Sequence, residues 1–247
     1  MNMRNIKLIL EYDGTDFCGW QLQPSERTVQ GELERALSTI FKQEIRTIAA
    51  GRTDSGVHAR GQVANFPLDT SMPLAQIRAA LNGTLAKDMR IMDIAEVDPA
   101  FNARFDAIKR EYCYRIARKE KALERHYTWY VGYHLDVEKI RSASTRLVGI
   151  HDFRSFCRAN ANVNHYRCTV EIADWTETGH ILSLRIIANR FLHSMVRTIV
   201  GTMIEVGRGK WSPEFIQEIL DAQNRHFAGP TAPARGLCLE RVYYNDG

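Results

Sequence analysis

Read for hydrophobic period and turn signals, the chain spells one order of elements twice: strand, helix, two strands, helix, strand. In the first half, Ile6, Leu8, Leu10 and Tyr12 alternate with mostly polar neighbours, as a half-buried strand does. Thr28 stands where an N-cap belongs, ahead of a helix reaching Phe41 with Val29, Leu33, Ala36, Leu37 and Ile40 on one face. Two β-compatible runs follow, Ile45 to Ala50 and Gly61 to Phe66. Ser71 and Pro73 then open a helix carrying Leu74, Ile77 and Leu81, and a strand from Arg90 to Val97 ends the half.

The second half repeats the order without obvious sequence identity. Lys109 to Ala117 reads as a strand with Arg110, Tyr112, Tyr114 and Ile116 on one face. Asp136 caps a helix with Val137, Ile140 and Leu147, and His151 to Asn164 reads as a loop. Arg167 to Trp175 and Ile181 to Ala188 make a hairpin, followed by a helix from Phe191 to Gly207. A helix begun by Ser212 and Pro213 and a strand from Leu237 to Tyr244 complete the chain. The repeat predicts an α+β fold of two tandem ferredoxin-like halves, residues 1–104 and 105–247. Their mainly antiparallel sheets would flank a central cleft suited to an extended polymer.

With 45% hydrophobic and 25% charged residues, the composition is that of a soluble globular protein. No run approaches membrane-spanning length and the opening residues lead into a strand, so a cytoplasmic protein is expected. The five cysteines are scattered with no CxxC spacing, which suits reduced thiols. The eight histidines form no HxxxH or HxH pair, so no metal site is expected.

The net charge of +4 is concentrated. Between Arg104 and Arg125 eight basic residues face four acidic ones, an excess as large as that of the whole chain. Tyr112, Tyr114, Tyr127, Trp129, Tyr130 and Tyr133 lie within or just after this stretch. Cations interleaved with aromatics suit phosphate neutralisation and base stacking. They equally suit a solvated strand edge guarded by Lys and Arg.

Between the two runs of the first half lies Gly51-Arg52-Thr53-Asp54-Ser55-Gly56-Val57-His58-Ala59. Glycines at both ends allow a tight backbone path and close approach of another molecule. A carboxylate near a guanidinium is favoured in its charged, nucleophilic form. The alternative is a hairpin loop in which Asp54 caps its own backbone. Farther on, Leu192, Met195, Ile199, Met203 and Val206 form an apolar helical stripe from which Arg197 projects away. Gly201, one turn later on the Arg197 face, leaves room for a close neighbour.

Five stretches together resemble the motifs of the TruA family of tRNA pseudouridine synthases. They are Glu11 to Gln23, Gly51 to Ala59, Arg110 to Tyr114, Phe191 to Gly201 and Pro233 to Leu239, in the family's order across nearly the whole chain. Glu111 departs from the pattern, since the family often has a basic residue there. The resemblance implies an isomerase that converts uridine to pseudouridine in the anticodon stem-loop of tRNA, held in an RNA-binding cleft. It implies Asp54 as the catalytic carboxylate, Tyr112 stacking on the target uracil, Arg197 pairing with Asp54, and Arg52 holding the everted nucleotide or its phosphate. Arg110 and His58 lie in the matching motifs as further substrate-binding candidates. No cofactor and no metal are implied; the implied partners are the tRNA anticodon arm and a second copy of the chain in a homodimer.

The chemistry suits these residue types. Uridine isomerisation breaks the glycosidic bond, turns the base and rejoins it through carbon. A carboxylate can capture or stabilise the oxocarbenium-like sugar, as in retaining glycosidases. Uracil leaves as a delocalised anion and stays bound, so a single carboxylate suffices where a hydrolase needs two. A non-catalytic RNA-binding module has no need of the Asp54, Tyr112 and Arg197 set. A hydrolase would need a second carboxylate or metal ligands near Asp54, and the loop offers neither.

Overall fold

The computed structural model describes residues 3–158 and 164–245; residues 159–163, part of the stretch expected as a loop, lie outside them. In chain order the elements are β1 (Met3–Tyr12), α1 (Val29–Phe41), β2 (Ile48–Ala49), β3 (His58–Asp69), α2 (Leu74–Thr84) and β4 (Met89–Val97). They continue with β5 (Lys109–Ala117), β6 (Trp129–Tyr130), α3 (Val137–Thr145), β7 (Gly149–Asp152), β8 (Arg167–Thr178) and β9 (Ile181–Ala188). Last come α4 (Met195–Gly207), α5 (Phe215–Ala222) and β10 (Leu237–Tyr243). The fold is α+β with mostly antiparallel pairing. The chain forms two compact units, one from the residues up to 108 with those from 239, the other from residues 109–238.

In the first unit β1 pairs antiparallel with both β4 and β3, β2 pairs antiparallel with β3, and β10 lies beyond β3. The alternation of β1 is realised: Ile6, Leu8, Leu10 and Tyr12 are buried. β3 is longer than its apolar run suggests, because as a central strand it buries Gln62 and Asn65 as well as Val63, Ala64 and Phe66. Each polar side chain there is partnered, as burial demands. Gln62 donates to the Gly51 carbonyl (2.9 Å), and Asn65 donates to the Asn5 side-chain oxygen (2.9 Å) and to the Phe101 carbonyl (3.1 Å). Conversely, only Ile48–Ala49 of the run before the Asp54 loop is strand. Thr28 caps α1 as expected, its hydroxyl accepting from the Gly31 amide at 3.2 Å.

In the second unit β9 pairs antiparallel with β5 and β8, β7 with β8, and the short β6 runs parallel to β5. β7 takes in His151 and Asp152, the start of the stretch expected as a loop; it is four residues long, too short for a period-2 pattern to register. Asp136 caps α3 by accepting from the Lys139 amide at 3.1 Å. α4 begins at Met195, one turn later than the sequence predicts, after Ser194 has adopted φ +59°. Every residue of α4 except Arg197 is buried, so the single stripe is the visible part of a helix covered nearly all round. Gly201 is where its cover comes closest: a β-carbon there would lie 1.7 Å from the Pro230 carbonyl oxygen.

Candidate active site

The loop bearing Asp54 is built by residues that follow β1. A bulge between Leu10 and Tyr12 shifts the β1–β3 register as the strand reaches the loop. The chain then passes so near the loop that a β-carbon on Gly14 would lie 2.1 Å from the Val57 carbonyl oxygen. Gly19, at φ +85°, lies against the backbone of Thr53, Asp54 and Ser55. Hydrogen bonds lock the two segments: Trp20 N–H donates to the Thr53 carbonyl (3.0 Å) and Gly56 N–H to the Phe17 carbonyl (3.2 Å). The Ser55 hydroxyl also reaches the Phe17 carbonyl (3.3 Å), and the buried Tyr12 and Thr53 hydroxyls bond at 2.8 Å. Gly56 takes φ +76° and Val57 N–H returns to the Asp54 carbonyl at 3.1 Å, closing the turn. A loop with its backbone bonds committed on both sides holds its carboxylate in one place.

Within this loop Asp54 is half-buried, Arg52 is exposed and His58 is buried at the start of β3. The Gly14 amide donates to His58 Nδ1 at 3.0 Å, which makes that nitrogen an acceptor. Asp13 Oδ1 lies 3.1 Å from the same atom, and His58 ties the turn after β1 to the start of β3.

One further support lay unassigned in the sequence. Arg27 forks onto Asp88 through two bonds of 2.6 and 2.9 Å and stacks its guanidinium over the Phe17 ring at 4.2 Å. Phe17 in turn meets Tyr12 edge to face, with ring centroids 6.3 Å apart. The Arg27 guanidinium holds the Asp88 carboxyl below its usual range. Arg27 and Asp88 are 61 residues apart, and no local pattern pairs them.

In the second unit the β5 face expected to carry Arg110, Tyr112, Tyr114 and Ile116 grades from half-buried at Arg110 and Tyr112 to buried at Tyr114 and Ile116. Arg110 donates to the Asn189 carbonyl at 2.9 Å. Tyr112 stands edge to face with Phe191, centroids 5.1 Å apart at 87°, so the stretch before α4 props its ring. Glu111 points the other way and accepts from Arg185 Nε at 2.6 Å, which accounts locally for an acid in that place.

The residues from Gly229 to Gly236 strap this face to α4. Arg197 Nε donates to the Ala232 carbonyl (2.8 Å) while the Arg197 carbonyl accepts from the Ala232 amide (3.0 Å). The adjacent Pro233 carbonyl accepts the Tyr114 hydroxyl at 2.7 Å. Burial pushes the Tyr114 phenol far above its ordinary range, opposed by the positive charges of Arg197 and Arg235. Tyr114 is thus a structural pin for the strap, and Arg197 is positioned through its backbone and Nε. Gly236 fits against the Tyr114 ring, where a β-carbon would lie 2.6 Å away.

Comparison with known proteins agrees with these motifs. The profile of the family described as tRNA pseudouridine synthase matches residues 8–106 and 143–245. The chain is 47% identical over 249 residues to tRNA pseudouridine synthase A of Halalkalibacterium halodurans, covering 99% of this chain and 94% of that one. It is 42% identical over 245 residues to the protein of the same name from Bacillus pumilus, and likewise to that from Bacillus subtilis; each match covers 98% of this chain and 99% of the relative. A solved structure of the archaeal box H/ACA sRNP Nop10-Cbf5 complex aligns with 81% of this chain and 44% of its own at TM-score 0.37 and 11% identity, too slight a likeness to carry an argument.

Proposed function

Since the chain belongs to the tRNA pseudouridine synthase family, we propose that it isomerises uridine to pseudouridine in the anticodon stem-loop of tRNA, with Asp54 as the catalytic carboxylate. In this reaction the C1′–N1 bond breaks, uracil turns in place, and a C1′–C5 bond forms. The hydrogen of C5 leaves to solvent and N1 gains a proton, so the overall change is an isomerisation. Asp54 captures or stabilises the electron-poor C1′ while the base is detached. Tyr112 forms a wall for the flipped uracil, and Arg197 pairs with Asp54. Arg52 and Arg110 hold the everted nucleotide or its phosphates. His58 completes the substrate-binding set by fixing the turn against which the Asp54 loop rests.

The observation that carries this reading is the committed backbone of the Asp54 loop, with its half-buried carboxylate and the exposed Arg52 two residues away. Catalysis by one fixed charge needs that preorganisation; a surface turn does not. Two ferredoxin-like halves, one bearing the Asp54 loop and the other the Tyr112 and Arg197 motifs, are the architecture we assign. The antiparallel order β4-β1-β3 with β2 on β3 supports it for the first, and β5-β9-β8 for the second. We further assign a homodimer acting in the cytoplasm, needing no cofactor and no metal; no helix among the described residues is long and apolar enough to cross a membrane.

The test is release of tritium from tRNA carrying [5-³H]uridine, followed by mapping of the modified positions. Stoichiometric release confined to the anticodon stem-loop is expected. No release, or release from other regions of the tRNA, would overturn the assignment.

A further inference from the structure

We propose that a cavity at the end of β5 is a docking site for the phosphodiester backbone of RNA, apart from the residues that handle the target base. This inference rests on the function proposed above and extends it to a second contact with the same substrate. The cavity has a volume of about 690 Å³ and is lined by Arg118, Lys119, Lys121, Gly179 and His180. It lies where the chain leaving β5 passes the β8–β9 turn, and the two are joined by a bond from the Arg118 amide to the His180 carbonyl at 2.8 Å.

The lining is three cations, a histidine and a glycine, with no carboxylate among them. Two nearby carboxylates pair with three of these groups. Glu177 holds Arg118 at 2.8 Å, and Glu124 holds His180 at 2.6 Å and Lys121 at 3.8 Å. Those pairs restrain the long side chains, so less conformational freedom is lost when an anion arrives. Lys119 is exposed. Gly179, at φ +62°, makes the turn with open space beyond its Cα, so the mouth stays clear.

The ligand class follows from what the lining lacks. The one ring in the lining is the His180 imidazole, which Glu124 holds at 2.6 Å; no phenylalanine, tyrosine or tryptophan lines the cavity as a platform for stacked bases. Several cations around a space larger than a single small ion suit successive backbone phosphates. The strand itself gives the spacing. Arg118 is six residues beyond Tyr112 along β5, about 20 Å at strand rise. The phosphates held here therefore lie well away from the nucleotide at Tyr112. The site would add affinity and orientation for the tRNA, without sequence preference, and leave the chemical step alone.

The experiment compares the double variant Lys119→Glu/Lys121→Glu with a control of equal charge change, Lys42→Glu/Lys87→Glu, on exposed lysines outside the cavity. We expect the cavity variant to raise Kd and KM for tRNA roughly tenfold, with a shallower dependence of log Kd on log salt and kcat within about twofold. The control should leave Kd within about twofold. Unchanged Kd in the cavity variant, or an equal loss in the control, would overturn the proposal. Because Kd is read without turnover, the outcome is separable from that of the tritium assay, on which the proposed function stands or falls.

Discussion

Gly19 lies against Thr53 so closely that a β-carbon would sit 2.7 Å from the Thr53 carbonyl oxygen, with Gly19 itself at φ +85°. Any other residue must both strain its own backbone and push the Asp54 loop aside. Gly19→Ala should therefore cost roughly 2 kcal/mol of stability. It should also lower kcat by a factor of ten or more, because a displacement of about an ångström at a reacting group is already expensive. Denaturant melts and single-turnover rates read the two effects separately. A variant with wild-type kcat would mean that the contact does not set the position of the loop.

Tyr12→Phe removes one hydroxyl from the buried bond to Thr53 and leaves the ring against Phe17. The expected loss is about 1 kcal/mol in urea unfolding. Thr53→Val, which removes the other partner, should cost a similar amount, and the double variant less than the sum of the two. Additive losses would show that the two hydroxyls are not coupled.

The Arg27–Asp88 pair predicts a pH signature. Asp88 has its folded value depressed below the ordinary 3.8, chiefly by hydrogen bonding to Arg27. Its contribution is thus fully present above the unfolded value and disappears as pH falls through the folded one. Asp88→Asn should destabilise by up to about 1 kcal/mol at neutral pH. The difference from wild type should shrink once the pH passes below about 4. A difference that stays constant down to pH 2 would mean that the carboxylate charge is not what the site uses.

Tyr112 offers a test of stacking. Tyr112→Phe keeps the ring and its edge-to-face contact with Phe191, so kcat/KM should stay within about threefold. Tyr112→Ala removes the wall, and kcat/KM should fall by roughly a hundredfold, in keeping with the cost of losing one base–aromatic stack. Equal effects in the two variants would assign the function to the hydroxyl instead.

What could be read from the sequence is what has a short period or a local cap. The helix begun at Thr28, the alternation of β1 and the span of β5 all depend on neighbours within a few residues, and all stand as expected. β7 and β6 were missed because two to four residues carry no period, and their pairing is made by distant strands. α4 looked amphipathic, but its second face is covered by the strap near Pro230, which lies 29 positions beyond Gly201. Gly201 itself did signal that something would come close. In the candidate site Asp54 stood out between two glycines, whereas its supports did not. Gly14, Gly19, Arg27 and Asp88 act through contacts spanning some 30 to 60 residues, and only the fold brings them together.

The most direct test of the central claim is single-turnover tritium release by Asp54→Ala with [5-³H]uridine-labelled tRNA, alongside its tRNA Kd by filter binding. The account predicts that Kd stays within roughly tenfold of wild type while release falls to background. Release at a measurable fraction of the wild-type rate, with the variant folded and binding tRNA, would contradict the assignment of Asp54 as the catalytic carboxylate.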